Sequence, residues 1–240
     1  MHEPIHELVE IAGPRGRLCG KLGYRMDDPA TRCTSSGFGG VLVLSPHPFM
    51  GGHMDLPLLT KIADHLIAHA IPTLRFNYGG VGQSEGPRFD VGSAMDTFWK
   101  TGSAPQDPVL IDEARCALGW FSRQTNAPII LVGYSFGAFV ATQIRDQNTP
   151  ALGLVAPTIT HHDYSGFSNE GIPTLVVTGE GDFATGDQEM SNWANSLGVD
   201  TRFEQISGGD HFFRGSSDRV GELIAEFVTH LRAAKEETSQ

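Results

Sequence analysis

The sequence predicts an α/β fold: a mainly parallel central sheet covered by helices on both faces, with an antiparallel hairpin at its start. Three observations carry this. Short unbroken apolar runs such as Val41-Leu42-Val43-Leu44 and Ile129-Ile130-Leu131-Val132 have the pattern of strands buried on both faces. Segments with apolar residues at helical spacing lie between such runs, so strands and helices alternate. The opening instead alternates apolar and polar residues over 5–11 and 18–24, around Gly13-Pro14-Arg15-Gly16, which is a hairpin signal.

The elements follow in order. A Gly/Ser-rich loop over 34–40 leads into the strand at 41–44, and 56–70 is helical until Ile71-Pro72 ends it before a short strand at 73–76. The next helix spans 109–121, with Ile111, Ala114, Leu118 and Phe121 expected on one face. A strand at 129–132 and a helix at 136–145 come next, then strands at 152–155 and 175–178. The last elements are a helix at 188–197, a strand at 202–205 and a helix at 220–232. No linker, repeat or second core interrupts this order, so 1–240 reads as one domain, with 235–240 as a polar, disordered tail. Residues 87–108 are a candidate small cap: Phe89, Met95, Phe98 and Trp99 give them unusual apolar weight, and Pro87, Gly92, Gly102, Pro105 and Pro108 are expected to break them into short pieces. Between 155 and 174 there is too little chain for a separate helical lid.

Composition narrows the partners. Seventeen basic against 28 acidic residues give a net charge of −11, which repels phosphate backbones and offers no basic patch to anionic lipid, so neither nucleic acid nor membrane is expected as a partner. The start of the chain lacks a signal-peptide pattern, and no apolar run approaches the roughly 20 residues that span a bilayer. Cys19, Cys33 and Cys116 are odd in number and widely spaced, which fits reduced thiols in a cytoplasmic protein better than a disulfide framework or a zinc ribbon. Nothing in the sequence signals an oligomeric state.

In a parallel sheet, ligands bind beyond the carboxyl ends of the strands, so reactive residues just after strands are the ones to weigh. Gly133-Tyr134-Ser135-Phe136-Gly137 lies between the strand at 129–132 and a helix. A serine on such a sharp turn projects its hydroxyl from the sheet edge, and the helix N-terminus behind it points N–H groups at a developing oxyanion. A serine hydroxyl needs a base, and the base needs an orienting group. Asp182 follows the strand at 175–178, and His211 follows the strand at 202–205, so serine, acid and histidine come in one order, each past a strand. Glu180 and Asp187 are rival orienters: Glu180 sits closer to the strand, and Asp187 is expected to begin a helix.

An oxyanion also needs two donors. The first is expected from the Phe136 N–H, and the second from the loop after 41–44, Ser45-Pro46-His47-Pro48-Phe49-Met50-Gly51-Gly52. Prolines have no N–H to offer, which leaves His47, Phe49 and Met50, with His47 favoured. Phe98 and Trp99 are candidates to cap Ser135 and shape the acyl pocket. His161 and His162 read as solvent-facing or pocket-lining. His65 and His69 are four apart on a helix but lack the glutamate of a zinc protease and a third ligand, so no metal is expected. Gly80-Val81-Gly82-Gln83-Ser84-Glu85 lacks the third glycine and the following helix of a dinucleotide fingerprint.

Together these motifs resemble the α/β-hydrolase superfamily, and within it a branch of small hydrolases similar to dienelactone-hydrolase-like and lysophospholipase-like serine esterases. Pro46-His47-Pro48-Phe49-Met50-Gly51-Gly52 is similar to that branch's His-Pro-x-x-Gly-Gly, and Arg75-Phe76-Asn77-Tyr78-Gly79-Gly80-Val81-Gly82-Gln83-Ser84-Glu85-Gly86 to its Arg-Phe-Asn-Phe-Arg-Gly-Val-Gly-x-Ser-x-Gly. The Gly209-Asp210-His211-Phe212-Phe213 run resembles its histidine loop. The resemblance extends from about residue 41 to the C-terminal helix. It implies the α/β-hydrolase fold without a large lid domain, and hydrolysis of an ester, thioester or lactone of a small soluble substrate through an acyl-serine, with no cofactor. An acyltransferase or cyclase on the same site, or a non-catalytic binding protein on the fold, are the competing readings. Three departures stand out: Gly79 where the branch has arginine, Ser45 where many members have histidine, and a longer stretch at 87–108.

Overall fold

The structure, a computed structural model, describes residues 3–25, 37–88, 90–101, 103–169 and 171–238, without the side chains at 93, 99 and 235–238. Eight strands form one sheet: β1 (Ile5–Gly13), β2 (Gly16–Tyr24), β3 (Gly40–Leu44), β4 (Thr73–Phe76), β5 (Ile129–Tyr134), β6 (Leu152–Val155), β7 (Thr174–Gly179) and β8 (Thr201–Ile206). Their order across the sheet is β1-β2-β4-β3-β5-β6-β7-β8. β1 pairs antiparallel with β2, and β2 antiparallel with β4, while all pairs from β4 to β8 are parallel. Among the described residues the α-helices are α1 (Pro57–Ala68), α2 (Val91–Thr101), α3 (Asp107–Thr125), α4 (Phe136–Ile144), α5 (Asp187–Ser196) and α6 (Ser217–Thr238).

The pleat of the central strands sorts their side chains into two cores. Val41, Val43, Ile130 and Val132 pack with Leu59, Ile62 and Leu66 of α1 and with Val220, Leu223 and Ile224 of α6. Their neighbours Leu42, Leu44 and Leu131 point the other way, onto Leu110, Ala114 and Phe121 of α3 and Val140 and Ala141 of α4. Each fully buried Val, Leu, Ile or Phe side chain among these contributes roughly 1.5–3 kcal/mol relative to exposure. The same sorting makes the crevice. The helix following β3 covers one face and the helix following β5 covers the other, so the loops leaving these adjacent strands part at their carboxyl ends.

Several expectations need adjustment. Within residues 87–108, Gly92 does not act as a breaker: α2 is a continuous eleven-residue helix that runs through it, with Pro87 and Pro105 in irregular chain to either side. Gly92 lies in its first turn, and Pro108 is the second residue of α3, a position where its missing N–H has no helical partner to lose. So α3 starts at Asp107, ahead of the expected 109. Its buried stripe is Leu110, Glu113, Ala114, Ala117 and Phe121, whereas Ile111 and Leu118 are only partly buried at its margin. The stripe contains a carboxylate, which hydrophobic periodicity cannot reveal. α6 continues to Thr238, into the segment expected to be a disordered tail, where Lys235, Glu236 and Glu237 are all good helix formers. Residues 34–36, Phe89, Gly102 and the Trp99 side chain lie outside the described residues. No described helix is long and apolar enough to cross a membrane.

Candidate active site

Ser135 sits between β5 and α4 with φ 57° and ψ −119°, a conformation that L-residues rarely adopt. Its backbone is held at both ends: the Ser135 N–H donates to the Val155 carbonyl at 2.9 Å, and its carbonyl accepts from Ala138 N–H at 2.9 Å. The turn closes only because its flanks are glycine. A Cβ on Gly133 would collide with the Gly137 carbonyl, and one on Gly137 with the carbonyls of Leu44 and Ser45. This brings the N-terminus of α4 against the end of β3. Phe136 is the first residue of α4, where no preceding helical carbonyl is available to its N–H.

Asp182 and His211 arrive from the loops after β7 and β8, and both are 6% exposed. The His211 Nδ1 lies 2.8 and 2.9 Å from the two Asp182 carboxylate oxygens, and its Nε2 lies 3.2 Å from Ser135 Oγ. Asp182 Oδ1 also accepts the Ala184 N–H at 2.8 Å. The histidine loop can approach because Gly179 has no Cβ to meet the Gly209 carbonyl. Tyr134 donates its hydroxyl to the His211 carbonyl at 2.9 Å, and burial pushes its pKa well above the usual phenol range. Nothing in the sequence marks this contact, since Tyr134 is one of the two variable positions within the serine motif.

The two rival acids are engaged elsewhere. Glu180 accepts from Ser207 Oγ at 2.8 Å and from Gly208 N–H at 3.0 Å, hydrogen bonds that lower its pKa, and so pins the base of the histidine loop. Asp187 begins α5 as expected and accepts the Gly181 N–H.

The loop after β3 forms a single 3₁₀ turn over Pro48–Met50, and its hydrogen bonds sort the candidate donors. The Phe49 N–H donates to His47 Nδ1 at 3.1 Å, and the Met50 N–H to the His47 carbonyl at 2.9 Å. Both are thereby committed to the turn. His47 is 3% exposed, and with Nδ1 accepting, its ring proton belongs on Nε2, which lies 3.1 Å from Asp107 Oδ1. Burial lowers its pKa against the opposing pull of Asp107, so the imidazole is neutral. The loop is anchored from β4 by the arginine–asparagine motif. Arg75 donates to the Met54 carbonyl at 2.7 Å, while Asn77 accepts the Met54 N–H at 2.8 Å.

A cavity of about 600 Å³ opens beside Ser135. His47, Phe49, Met50, Phe98 and Phe136 all line it, as do His161 and His162. Phe98 is 9% exposed and packs its ring 5.5 Å from that of Phe49. His162 stacks on Phe139 at 4.8 Å with Nδ1 2.8 Å from Thr158 Oγ1, and burial drives its pKa down to about 4. His65 lies apart from the cavity, 3.4 Å from Asp218 Oδ1, and His69 bonds the His65 carbonyl.

No family model matches the chain. By sequence it is similar to an uncharacterized protein of Rickettsia prowazekii, 27% identical over 94% of this chain and 90% of that one. Among solved structures it is similar to an alpha-beta serine hydrolase homologue from Coxiella burnetii, with TM-score 0.74, 24% identity, and 94% of this chain and 97% of that one covered. It is also similar to an α/β serine hydrolase without a lid from Xanthomonas campestris, with TM-score 0.76, 22% identity, and 94% of each chain covered. The chain has the α/β-hydrolase fold. The likeness of fold covers nearly the whole chain, whereas the motifs run from about residue 41 to the C-terminal helix. In this α/β-hydrolase fold, the crevice between β3 and β5 is where Ser135, His211 and Asp182 converge, and α2 is the only helix inserted between β4 and α3 among the described residues.

Gly79, where the resembled branch has arginine, lies close against Arg15. A Cβ on Gly79 would come 3.1 Å from Arg15 Nη2, and Arg15 reaches from the β1–β2 turn to bond Glu113, which also accepts the Gly79 N–H at 2.9 Å.

Proposed function

We propose that this protein is a serine hydrolase that cleaves an ester, thioester or lactone of a small soluble substrate through an acyl-serine intermediate. The observation that carries the reading is the continuous chain from Asp182 through His211 to Ser135, with Nδ1 2.8 Å from Asp182 and Nε2 3.2 Å from Ser135 Oγ. Ser135 Oγ passes its proton to Nε2 and attacks the substrate carbonyl. Asp182 keeps the Nδ1 proton in place and stabilises the imidazolium that forms. The Phe136 N–H, at the helix N-terminus behind the serine, and the His47 N–H, in the loop after β3, receive the oxyanion. Collapse expels the leaving group, which takes the proton from Nε2, and water then attacks the acyl-serine by the same route.

Phe98 walls the acyl end of the cavity, and α2 presents it there. The test is labelling with a fluorophosphonate probe together with a chain-length series of p-nitrophenyl esters. The wild type should label at Ser135 and turn over short esters, and Ser135→Ala should do neither while remaining folded. Undiminished turnover by the folded variant would sink the assignment.

A further inference from the structure

The cavity beside Ser135 has two unlike walls. One is enclosed: Phe49, Phe98 and Phe136 are 5%, 9% and 2% exposed. The other is open: Phe183 and Phe212 also line the cavity, yet they are 67% and 47% exposed. These two residues follow Asp182 and His211 directly in the chain, so they go wherever the histidine and its partner go. Their rings lie 5.8 Å apart and 4.9 and 5.6 Å from the His211 imidazole. The Arg214 guanidinium covers the Phe212 ring at 4.6 Å while paired to Asp210, which steadies that ring at the rim. Two large apolar rings left in water contribute little to folding, and apolar surface grouped at a cavity mouth marks a place for a ligand.

The reaction decides which part of a substrate meets which wall. His211 Nε2 delivers its proton to the departing oxygen or sulfur, so the leaving group must lie against the imidazole and therefore beside the rings that flank it. Resting on the hydrolase reading, we propose that Phe183 and Phe212 form a leaving-group subsite for an aromatic alcohol or thiol, while the acyl group occupies the enclosed end. The favoured substrates are aryl or arylalkyl esters and thioesters of short acyl groups. In the acylation step the bond from the carbonyl carbon to the leaving oxygen or sulfur breaks as the bond to Ser135 Oγ forms. The serine proton leaves with the aromatic alcohol or thiol, and water later releases the acid.

The test compares benzyl butyrate with ethyl butyrate on the wild type and on a Phe183→Ala/Phe212→Ala variant. Both esters pass through the same butyryl-Ser135, so a difference in kcat/KM between them arises before the alcohol departs. The wild type should prefer the benzyl ester, and the variant should lose about tenfold or more of that preference, the scale of a lost aromatic contact. Fluorophosphonate labelling of Ser135 in both proteins reports separately on the hydrolase reading, so a failure to label counts against that reading and an unchanged benzyl-to-ethyl ratio with labelling intact overturns the subsite. A variant that instead changes its preference along an acetate-to-octanoate series of ethyl esters would place the rings at the acyl end and also overturn it. A loss confined to substrate above its solubility limit, where it forms an emulsion, would reassign the rim to contact with a lipid surface and overturn it likewise.

Discussion

Asp107 Oδ1 lies 3.1 Å from His47 Nε2, and the other carboxylate oxygen accepts the Ala104 N–H at 3.0 Å. One buried side chain at the start of α3 therefore holds both the segment leaving α2 and the loop proposed to donate to the oxyanion. Through the His47 ring this hold reaches the Phe49 N–H and so the shape of the 3₁₀ turn. Asp107→Ala should lower kcat by about tenfold to a hundredfold, less than deletion of a donor, which typically costs roughly 10²–10³. KM should change less than kcat, because an oxyanion donor acts on the charge that develops in the transition state, even though Phe49 of the same loop lines the acyl end. Steady-state kinetics on p-nitrophenyl butyrate measures the split, and a rise in KM at constant kcat would contradict this role.

Arg15 and Glu113 make a second long-range tie, with Arg15 Nε 2.9 Å from Glu113 Oε1 and the carboxylate fully buried. Removing one member of such a pair leaves an uncompensated buried charge, at a cost of about 3–5 kcal/mol. Arg15→Ala should therefore lower the urea midpoint strongly. Glu113→Gln should cost less, since it keeps an acceptor for the Gly79 N–H and removes the buried charge. Equal midpoints for wild type and Arg15→Ala would show that the hairpin does not depend on this pair.

These two ties also show where sequence reading reaches its limit. The strands at the centre of the sheet are legible because continuous apolar runs have only one comfortable place, and Ser135 and Asp182 because each follows such a run; His211 follows the polar edge strand β8 and is legible from its order after the serine and the acid. Glu113 was not, because a charge in a helical stripe reads as a solvated position until its partner 98 residues away is seen. Asp107 was hidden in the same way, and Pro108 beside it read as a breaker when it is a helix start. Nothing in the sequence marks Phe183 and Phe212 as rim residues, because exposure cannot be read from a residue type.

His162 gives the stability a pH dependence. Its pKa stands at about 4 against an ordinary 6.5, chiefly through burial, with Asp107 opposing and His47 and His161 adding repulsion. Between pH 6.5 and 4 the unfolded chain binds a proton that the folded one refuses. The contribution is thus complete above about 6.5 and falls away as the pH drops towards 4, by on the order of 3 kcal/mol. Urea unfolding of the wild type should weaken across this window, and His162→Gln should show a shallower slope there. Parallel slopes for the two proteins would mean that His162 titrates alike in both states.

The strain at Ser135 gives the last prediction. Its φ of 57° with ψ of −119° lies outside the regions open to residues with a Cβ, and conformations of this kind cost about 1–3 kcal/mol. The backbone is kept there by the Val155 and Ala138 hydrogen bonds and by the close passage of Gly137 under β3, none of which involves the serine side chain. Alanine at 135 keeps the Cβ and therefore the strain, whereas glycine removes it. Elsewhere in a chain, glycine is less stable than alanine by about 0.5–1 kcal/mol. Here the order should reverse, with Ser135→Gly melting above Ser135→Ala by about 2–4 °C for each kcal/mol gained in a domain of this size. Both variants should be inactive, so the comparison isolates conformation from chemistry. If the alanine variant melts at or above the glycine variant, the elbow is not strained in solution.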